Sequence, residues 1–257
     1  MPEHLTIGMV VDNEFYGDHR VYNEAKVLVQ AGYTVKVLCL NFGSYPDREV
    51  VDGIEVVRVR IALKKKKRLS ALMLTLPFYR WFWRKAIHQF ILTEQIEVLH
   101  VHNLYMARMA KEGISRNYVR LILDLHGDYS AAIMGYDWAT HFPARLIVRP
   151  WLWKKLEEQY LGFANKIILI NNDFKKDILT RFPYLNEKNL VVYPNVSDPA
   201  NEDSTTVASQ TGEPYIHHAE SIQQMEPNGQ QTVLSEYNAC ASHEDLDALY
   251  SEFLLNK

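Results

Sequence analysis

Asp124, His126, Asp128 and Tyr129 crowd together in "LILDLHGDY", where an apolar run ends in ionisable groups. An imidazole beside carboxylates can move a proton near neutral pH or hydrogen-bond a neutral ligand. Asp124 still lies within the apolar run and reads as a partner for a neighbouring loop; His126, Gly127, Asp128 and Tyr129 lie beyond it. A second group comes from "VLHVHN", where His100 and His102 alternate, so that on a strand they share one face, and Asn103 follows. In "YGDHRVYNEA", Gly17 and Asp18 precede Arg20 and Glu24, which stand one helical turn apart and can pair as ions. Gly17 would let a backbone turn approach a phosphate. Asn195, in "YPNV", completes the set. The His-x-His and Asp-x-His spacings alone would admit a metal, but no cysteine or third-ligand motif joins them, so no metal site is assigned. There is no P-loop, nucleophile elbow or complete dinucleotide fingerprint, and no cofactor is expected.

These residues can meet only if the fold brings distant loops to one rim. Apolar, β-branched runs occur at Leu5–Val11, Thr34–Leu40, Ile54–Val59, Val98–Val101, Leu121–Leu125, Lys166–Ile170 and Leu190–Tyr193. "KIILI" and "LILDL" are apolar on both faces, which suits strands covered by helices on both sides. Helical patterns separate the runs, predicting an α/β fold: a doubly wound, mostly parallel, Rossmann-like sheet with helices on both faces. The segment from Asp18 opens with an N-cap residue, keeps Val21, Ala25, Leu28 and Val29 at helical spacing, and stops at Gly32. Leu5 to Leu40 therefore reads as one βαβ unit. "VVDGIEVVRVR" carries an Asp-Gly turn and predicts a hairpin. "ARLIVRPWLWKKLEEQYLGF" reads as a helix broken near Pro150. Ligands of such sheets collect beyond the carboxyl ends of the strands, where Gly17, Asp18, His102, Asn103, His126, Asp128, Tyr129 and Asn195 all fall.

Charge is divided unevenly. Residues 197–257 hold 11 acidic side chains and one basic; the remainder hold 27 basic and 20 acidic, a net of +7. The basic body suits anionic ligands such as phosphates or lipid head groups. Lys64, Lys65, Lys66, Lys67 and Arg68 run together ahead of "FYRWFWRKAIHQFIL". In that helix Tyr79, Phe82, Trp83, Ala86, Ile87 and Phe90 project to one side, and Arg80, Trp81, Arg84, Lys85 and His88 to the other. The simpler reading docks the helix on the sheet; the sharper one turns Lys64–Arg68 and Trp81 toward an anionic membrane. Pro77 and the charges argue against a spanning helix, and no stretch offers about 20 uninterrupted apolar residues. Without a signal-peptide pattern or a disulfide framework (Cys39 and Cys240 are the two cysteines), the expected location is cytoplasmic, extended by the sharper reading to the inner membrane face. No nucleic-acid partner is expected. Residues 1–196 read as one domain. Residues 197–257 read as an acidic linker, a weak strand in "YIHHAESI", and a terminal helix whose Leu246, Leu249, Tyr250, Phe253 and Leu254 form a stripe that docks on the body.

Taken in order, "DHRVYNEAKVLVQAGYTVKVLCL", "VDGIEVVRV", "VLHVHN", "LDLHGDY", "FANKIILIN" and "VVYPNVSD" resemble the N-terminal domain of GT-B glycosyltransferases, in particular the retaining family-4 enzymes, over residues 5–198. The resemblance implies an acceptor-side domain facing a C-terminal Rossmann-like domain that binds the nucleotide-sugar donor. The implied reaction is hexosyl transfer from a nucleotide diphosphate to a polysaccharide or lipid-linked acceptor. It implies that His126 matches the histidine facing the reacting sugar and is the catalytic candidate. It places Gly17 and Asp18 beside the donor phosphates and acceptor, with Arg20, His102, Asn103, Asp128, Tyr129 and Asn195 about the cleft. Where the family's second domain would begin with a glycine and then Lys-Gly, "MEPNGQQ" stands instead. Residues 197–257 thus read as a remnant or replacement of the donor domain, and a donor-domain protein is an expected partner. Two alternatives stay open: a non-catalytic module that binds a glycan or membrane surface, and a small enzyme of another class built on the His126 cluster.

Overall fold

The structure, a computed structural model, describes residues 5–114, 118–193 and 243–255. Asn195, Cys240, and the linker and strand expected after residue 197 lie outside the described residues. β1 (Thr6–Val10), β2 (Thr34–Asn41), β3 (Arg48–Val51), β4 (Ile54–Arg60), β5 (Val98–His102), β6 (Arg120–Leu125), β7 (Lys166–Leu169) and β8 (Leu190–Val192) form one sheet in the order β3-β4-β2-β1-β5-β6-β7-β8. Every pairing is parallel except that of β3 with β4. Those two are the hairpin that the Asp-Gly turn predicts. Asp52 and Gly53 sit at φ 50° and 82°, the left-handed pair that a tight two-residue turn requires.

The two-residue strand period divides the sheet into two faces, each with its own core. On one face, Ile7, Met9, Val35, Val37, Val98, Ile122 and Ile168 are buried beneath helix α1 (His19–Gln30) and the terminal helix. On the other, Val10, Leu38, Leu99, Val101, Leu121, Leu123, Ile167 and Leu169 are buried in a core shared with the aromatic helix. Asp18 caps α1 by accepting from the Val21 N–H, and Gly32 at φ 95° ends its turn into β2. The basic run itself forms α2 (Leu63–Ala71) and leads through a short linker to α3 (Phe78–Glu94). α3 buries Tyr79, Trp83, Ala86, Ile87 and Phe90 and leaves Trp81 exposed, as the projection predicts. Gly8 of β1 permits this packing, because a Cβ there would lie 2.7 Å from the Phe90 ring.

After β5 comes α4 (Met106–Gly113); after β6 come α5 (Tyr129–Gly135), α6 (Asp137–Thr140), α7 (Ala144–Val148) and α8 (Leu152–Leu161). The break near Pro150 is real: Arg149 adopts a left-handed φ of 51° between α7 and α8. α9 (Asn172–Arg181) follows β7, and α10 (His243–Leu255) returns to the body. Leu246, Leu249, Tyr250 and Phe253 bury α10 on the α1 face, where Tyr33 donates to Asp247 at 2.7 Å and Lys166 meets Glu252 at 2.7 Å.

One residue of the basic run differs from expectation. Lys64, Lys65, Lys67 and Arg68 are exposed, but the helical turn of α2 carries Lys66 inward, where it is 6% exposed and 3.6 Å from Asp12. A carboxylate sealed in the body supplies the counter-charge that lets this lysine leave the surface. Among the described residues no helix is long and apolar enough to cross a membrane.

Candidate active site at the carboxyl rim of the sheet

Strand alternation brings the chemistry-bearing residues together. His100 and His102 of β5 lie on the α1 face and stack with ring centroids 4.4 Å apart. His102 is the register partner of Asp124 on β6, so both side chains point to the same place. Helical spacing on α1 sends Arg20 and Glu24 down onto them. Arg20 donates from Nε to Asp124 Oδ2 at 3.0 Å and from Nη2 to Oδ1 at 2.8 Å. Its Nη2 also reaches the Tyr193 carbonyl at 3.2 Å, and Glu24 Oε1 lies 3.0 Å from its Nε. The Arg20–Glu24 contact expected within α1 thus exists, but it is one side of a larger buried cluster.

His126 completes the cluster from the loop. Its Nε2 lies 3.1 Å from Asp124 Oδ2 and 3.1 Å from His102 Nδ1, and His102 Nδ1 lies 3.1 Å from the same carboxylate oxygen. An ionised carboxylate only accepts, so a ring nitrogen that bonds Asp124 does so as an N–H, whereas the His102–His126 contact requires one of the same two nitrogens to be bare. Where His126 bonds Asp124 rather than accepting from His102, the acceptor of its neutral ring is Nδ1. At 19% side-chain exposure His126 borders solvent, while Arg20, Glu24, His100, His102 and Asp124 are buried.

Burial sets the charges of the sealed groups. It would raise the Asp124 carboxyl, but Arg20 foremost, with His126 and His102, holds it well below the ordinary range. Burial pushes Glu24 well above its ordinary value, and the Asp124 charge adds to this against Arg20. Burial also lowers His100 and His102, the former well below its usual value. Arg20 and Asp124 thus face each other as guanidinium and carboxylate, while burial favours the neutral forms of Glu24, His100 and His102. Tyr250 of α10 closes it, its Oη 2.7 Å from His100 Nδ1. Glu24, His100, His102 and Asp124 each offer a ligand atom, all within 4.8 Å of one another. Arg20 already supplies their positive charge and occupies both Asp124 oxygens, so a divalent cation would add charge beside a buried guanidinium. We read Glu24, His100 and His102 as neutral groups packed around the ionised Asp124.

The other expected residues stand around this centre. Gly17, at φ 85°, and Asp18 form the turn into α1, held by Asn13, which donates to Asp18 Oδ2 at 2.7 Å. Asn103 takes a left-handed φ of 74° and its N–H donates to the Asp124 carbonyl at 2.9 Å. Asp128 caps α5, accepting from the Ala131 N–H at 2.8 Å and the Ser130 hydroxyl at 2.9 Å, and Arg181 comes within 3.4 Å. Tyr129 enters an aromatic row, 5.4 Å from Tyr105 and 4.9 Å from Trp153. A second polar cluster escaped the sequence analysis: Tyr79 donates to Asp12 Oδ1, Tyr105 donates to Oδ2 at 3.2 Å, and Lys66 approaches the same carboxylate. Asp12 itself falls beyond the carboxyl end of the first apolar run, where ligands of such sheets collect, but nothing local names its partners.

With this geometry established, comparison with known proteins assigns the chain. The model of Glycosyltransferase Family 4 matches residues 18–201, more than half of the sequence and both halves of the buried cluster. The chain belongs to Glycosyltransferase Family 4. No curated protein matches it by sequence. Among solved structures, the family 4 domain resembles sucrose-phosphate synthase from Thermosynechococcus elongatus with 14% identity and a TM-score of 0.51, covering 74% of this chain and 48% of that one. It also resembles an E. coli structure described as trehalose-6-phosphate bound with UDP-2-fluoro glucose, with 10% identity and a TM-score of 0.51, covering 85% of this chain and 54% of that one. At such identities the likeness shows the fold. The chain spans about half the length of these two structures.

The raised pKa of Glu24 gives the family 4 domain a measurable pH signature. Above about 4.5, unfolded Glu24 is ionised while folded Glu24 keeps its proton, so stability falls as pH rises toward the raised folded pKa. Glu24→Gln removes this loss. The stability of the variant minus that of the natural protein should grow by about 1.4 kcal/mol per pH unit inside that window. Urea unfolding between pH 5 and pH 8 measures it, and a difference constant with pH contradicts the assignment.

Proposed function

We propose that this chain is the acceptor-side domain of a retaining family 4 glycosyltransferase, and that His126 is its catalytic residue. The reading rests on one observation: at the carboxyl rim of the sheet, Asp124, fixed by Arg20, faces His126 Nε2 at 3.1 Å. A neutral ring so held presents Nδ1 as an acceptor for a sugar hydroxyl, and orientation by a buried carboxylate keeps it from turning away. The donor is a nucleotide-diphosphate sugar, a class represented by the UDP-2-fluoro glucose named for the E. coli structure. The acceptor is a glycan or a lipid-linked sugar. Because the domain spans about half of the structures it resembles, transfer also requires a donor-binding half in addition to this domain.

Transfer of radiolabel from a panel of nucleotide sugars, measured in source-cell extract supplemented with the purified chain, tests the proposal. Product formation should rise with the natural protein and fall on the order of 100-fold with His126→Ala. Equal stimulation by both proteins contradicts the catalytic role. Robust transfer by the purified domain alone contradicts the need for a donor-binding half.

A membrane-facing role is supported by a different surface. Lys64, Lys65, Lys67 and Arg68 are exposed on α2, and Phe78 and Trp81 are 53% and 51% exposed at the start of α3. We propose that this face holds the domain at an anionic bilayer, each cation contributing about 1 kcal/mol. Replacing these four cations with glutamine should abolish co-sedimentation with phosphatidylserine-containing vesicles at moderate salt. Unchanged co-sedimentation excludes the basic run from membrane binding.

A further inference from the structure

A cavity of about 250 Å³ opens between the α2–α3 linker, α3, α4 and α8. Leu74, Met109 and Trp153 give it apolar walls, and Arg80 and Arg108 place two guanidinium groups on it. Both groups depend on one carboxylate: Glu112 lies 3.4 Å from Arg80 Nε and 3.0 Å from Arg108 Nε. Two cations share one anion, so the cavity carries excess positive charge. Arg80 Nε is buried and makes no hydrogen bond, which leaves a desolvated donor beside the cavity.

The cavity adjoins the catalytic rim. Tyr105 lines it and packs 5.4 Å from Tyr129, which follows His126, Gly127 and Asp128. One aromatic layer thus separates the cavity from the loop that carries His126. On the outside, Leu76, Phe78 and Trp81 are exposed on one side, and Leu146, Ile147 and Trp151 on the other. The Thr75 hydroxyl donates to the Ile147 carbonyl and ties these two segments together.

We propose that this cavity binds the phosphate of an amphiphilic acceptor, a phosphate ester carried on a hydrocarbon chain, and so anchors the acceptor behind the aromatic layer that borders the His126 loop. The inference deepens the reading above and rests on it for the direction of transfer. Size limits the occupant. The volume equals that of roughly eight waters, below the roughly 300–1,000 Å³ of sites that enclose a whole small ligand. A head group with its first carbons fits, and the rest of the chain must run over the exposed apolar residues. Charge selects the head group: arginine forks match phosphate oxygens, and an incoming phosphate can displace Glu112 and satisfy Arg80 Nε.

Calorimetric titration of the full chain with decyl phosphate below its micelle concentration tests this, with inorganic phosphate and decyl maltoside as separate arms. Decyl phosphate should bind at least tenfold more tightly than either control. Arg80→Gln and Arg108→Gln should each weaken it at least tenfold, and Glu112→Gln should tighten it severalfold by removing the competing carboxylate. Because these variants move affinity in opposite directions, misfolding cannot produce the pattern. Equal affinity for decyl maltoside reveals an apolar groove only, and equal affinity for inorganic phosphate a free-anion site; either overturns the proposal. So does absence of decyl phosphate binding, or affinity unchanged in all three variants. The titration uses no nucleotide sugar, so its failure leaves the His126 transfer assay standing, and failure of that assay leaves the titration interpretable.

Discussion

Arg20 donates from two nitrogens to the two oxygens of Asp124, with both side chains withdrawn from solvent. Such a pair is costly to desolvate, and it persists because its geometry is bidentate and further groups satisfy the carboxylate. Removing either partner would strand a buried charge, at a cost of about 3–5 kcal/mol. The pair also joins parts of the chain distant in sequence. Arg20 comes from the first crossover helix, Asp124 from a central strand, and the Tyr193 carbonyl from the end of β8. His126 inherits its position from this arrangement, because the oxygen facing its Nε2 is already fixed from the other side.

The two faces of the sheet carry different duties. The α1 face holds the cluster around Asp124, sealed by Tyr250 of α10 against His100. The opposite face holds the aromatic helix α3, the Asp12 cluster and the cavity with its two arginines. The faces meet at the rim, where the Tyr129 ring packs on Tyr105 a few residues beyond His126. A chain folded this way can fix an imidazole from one side of the sheet and hold an anion on the other, with both near the same loop.

Much of this was legible in the sequence because periodicity carries it. Alternation in "VLHVHN" places His100 and His102 on one face, and the spacing of Arg20 and Glu24 predicts their pairing. The Asp-Gly turn, the capping Asp18 and the stripe of α10 each have a local signal, and each appears as read. Local signals do not reach contacts between segments. Nothing near Arg20 says that its main partner is 104 residues away, and nothing in "KKKKR" says which lysine turns inward to Asp12. Tyr250 read as one more apolar residue of a stripe; its bond to His100 depends on where the terminal helix lands. Charge state was equally hidden, since burial and the nearby Asp124, which push Glu24 toward its neutral form, come only with the folded arrangement.

The central claim is that Asp124, held by Arg20, fixes which nitrogen of His126 carries the proton. Long-range proton–nitrogen correlation NMR of the 15N-labelled histidine side chains, recorded at a pH where the ring is neutral, reads this directly. The account predicts a protonated Nε2 and an unprotonated Nδ1 for His126. A dominant Nδ1–H tautomer would mean that Asp124 does not set the ring, and would contradict the proposed basis for sugar recognition.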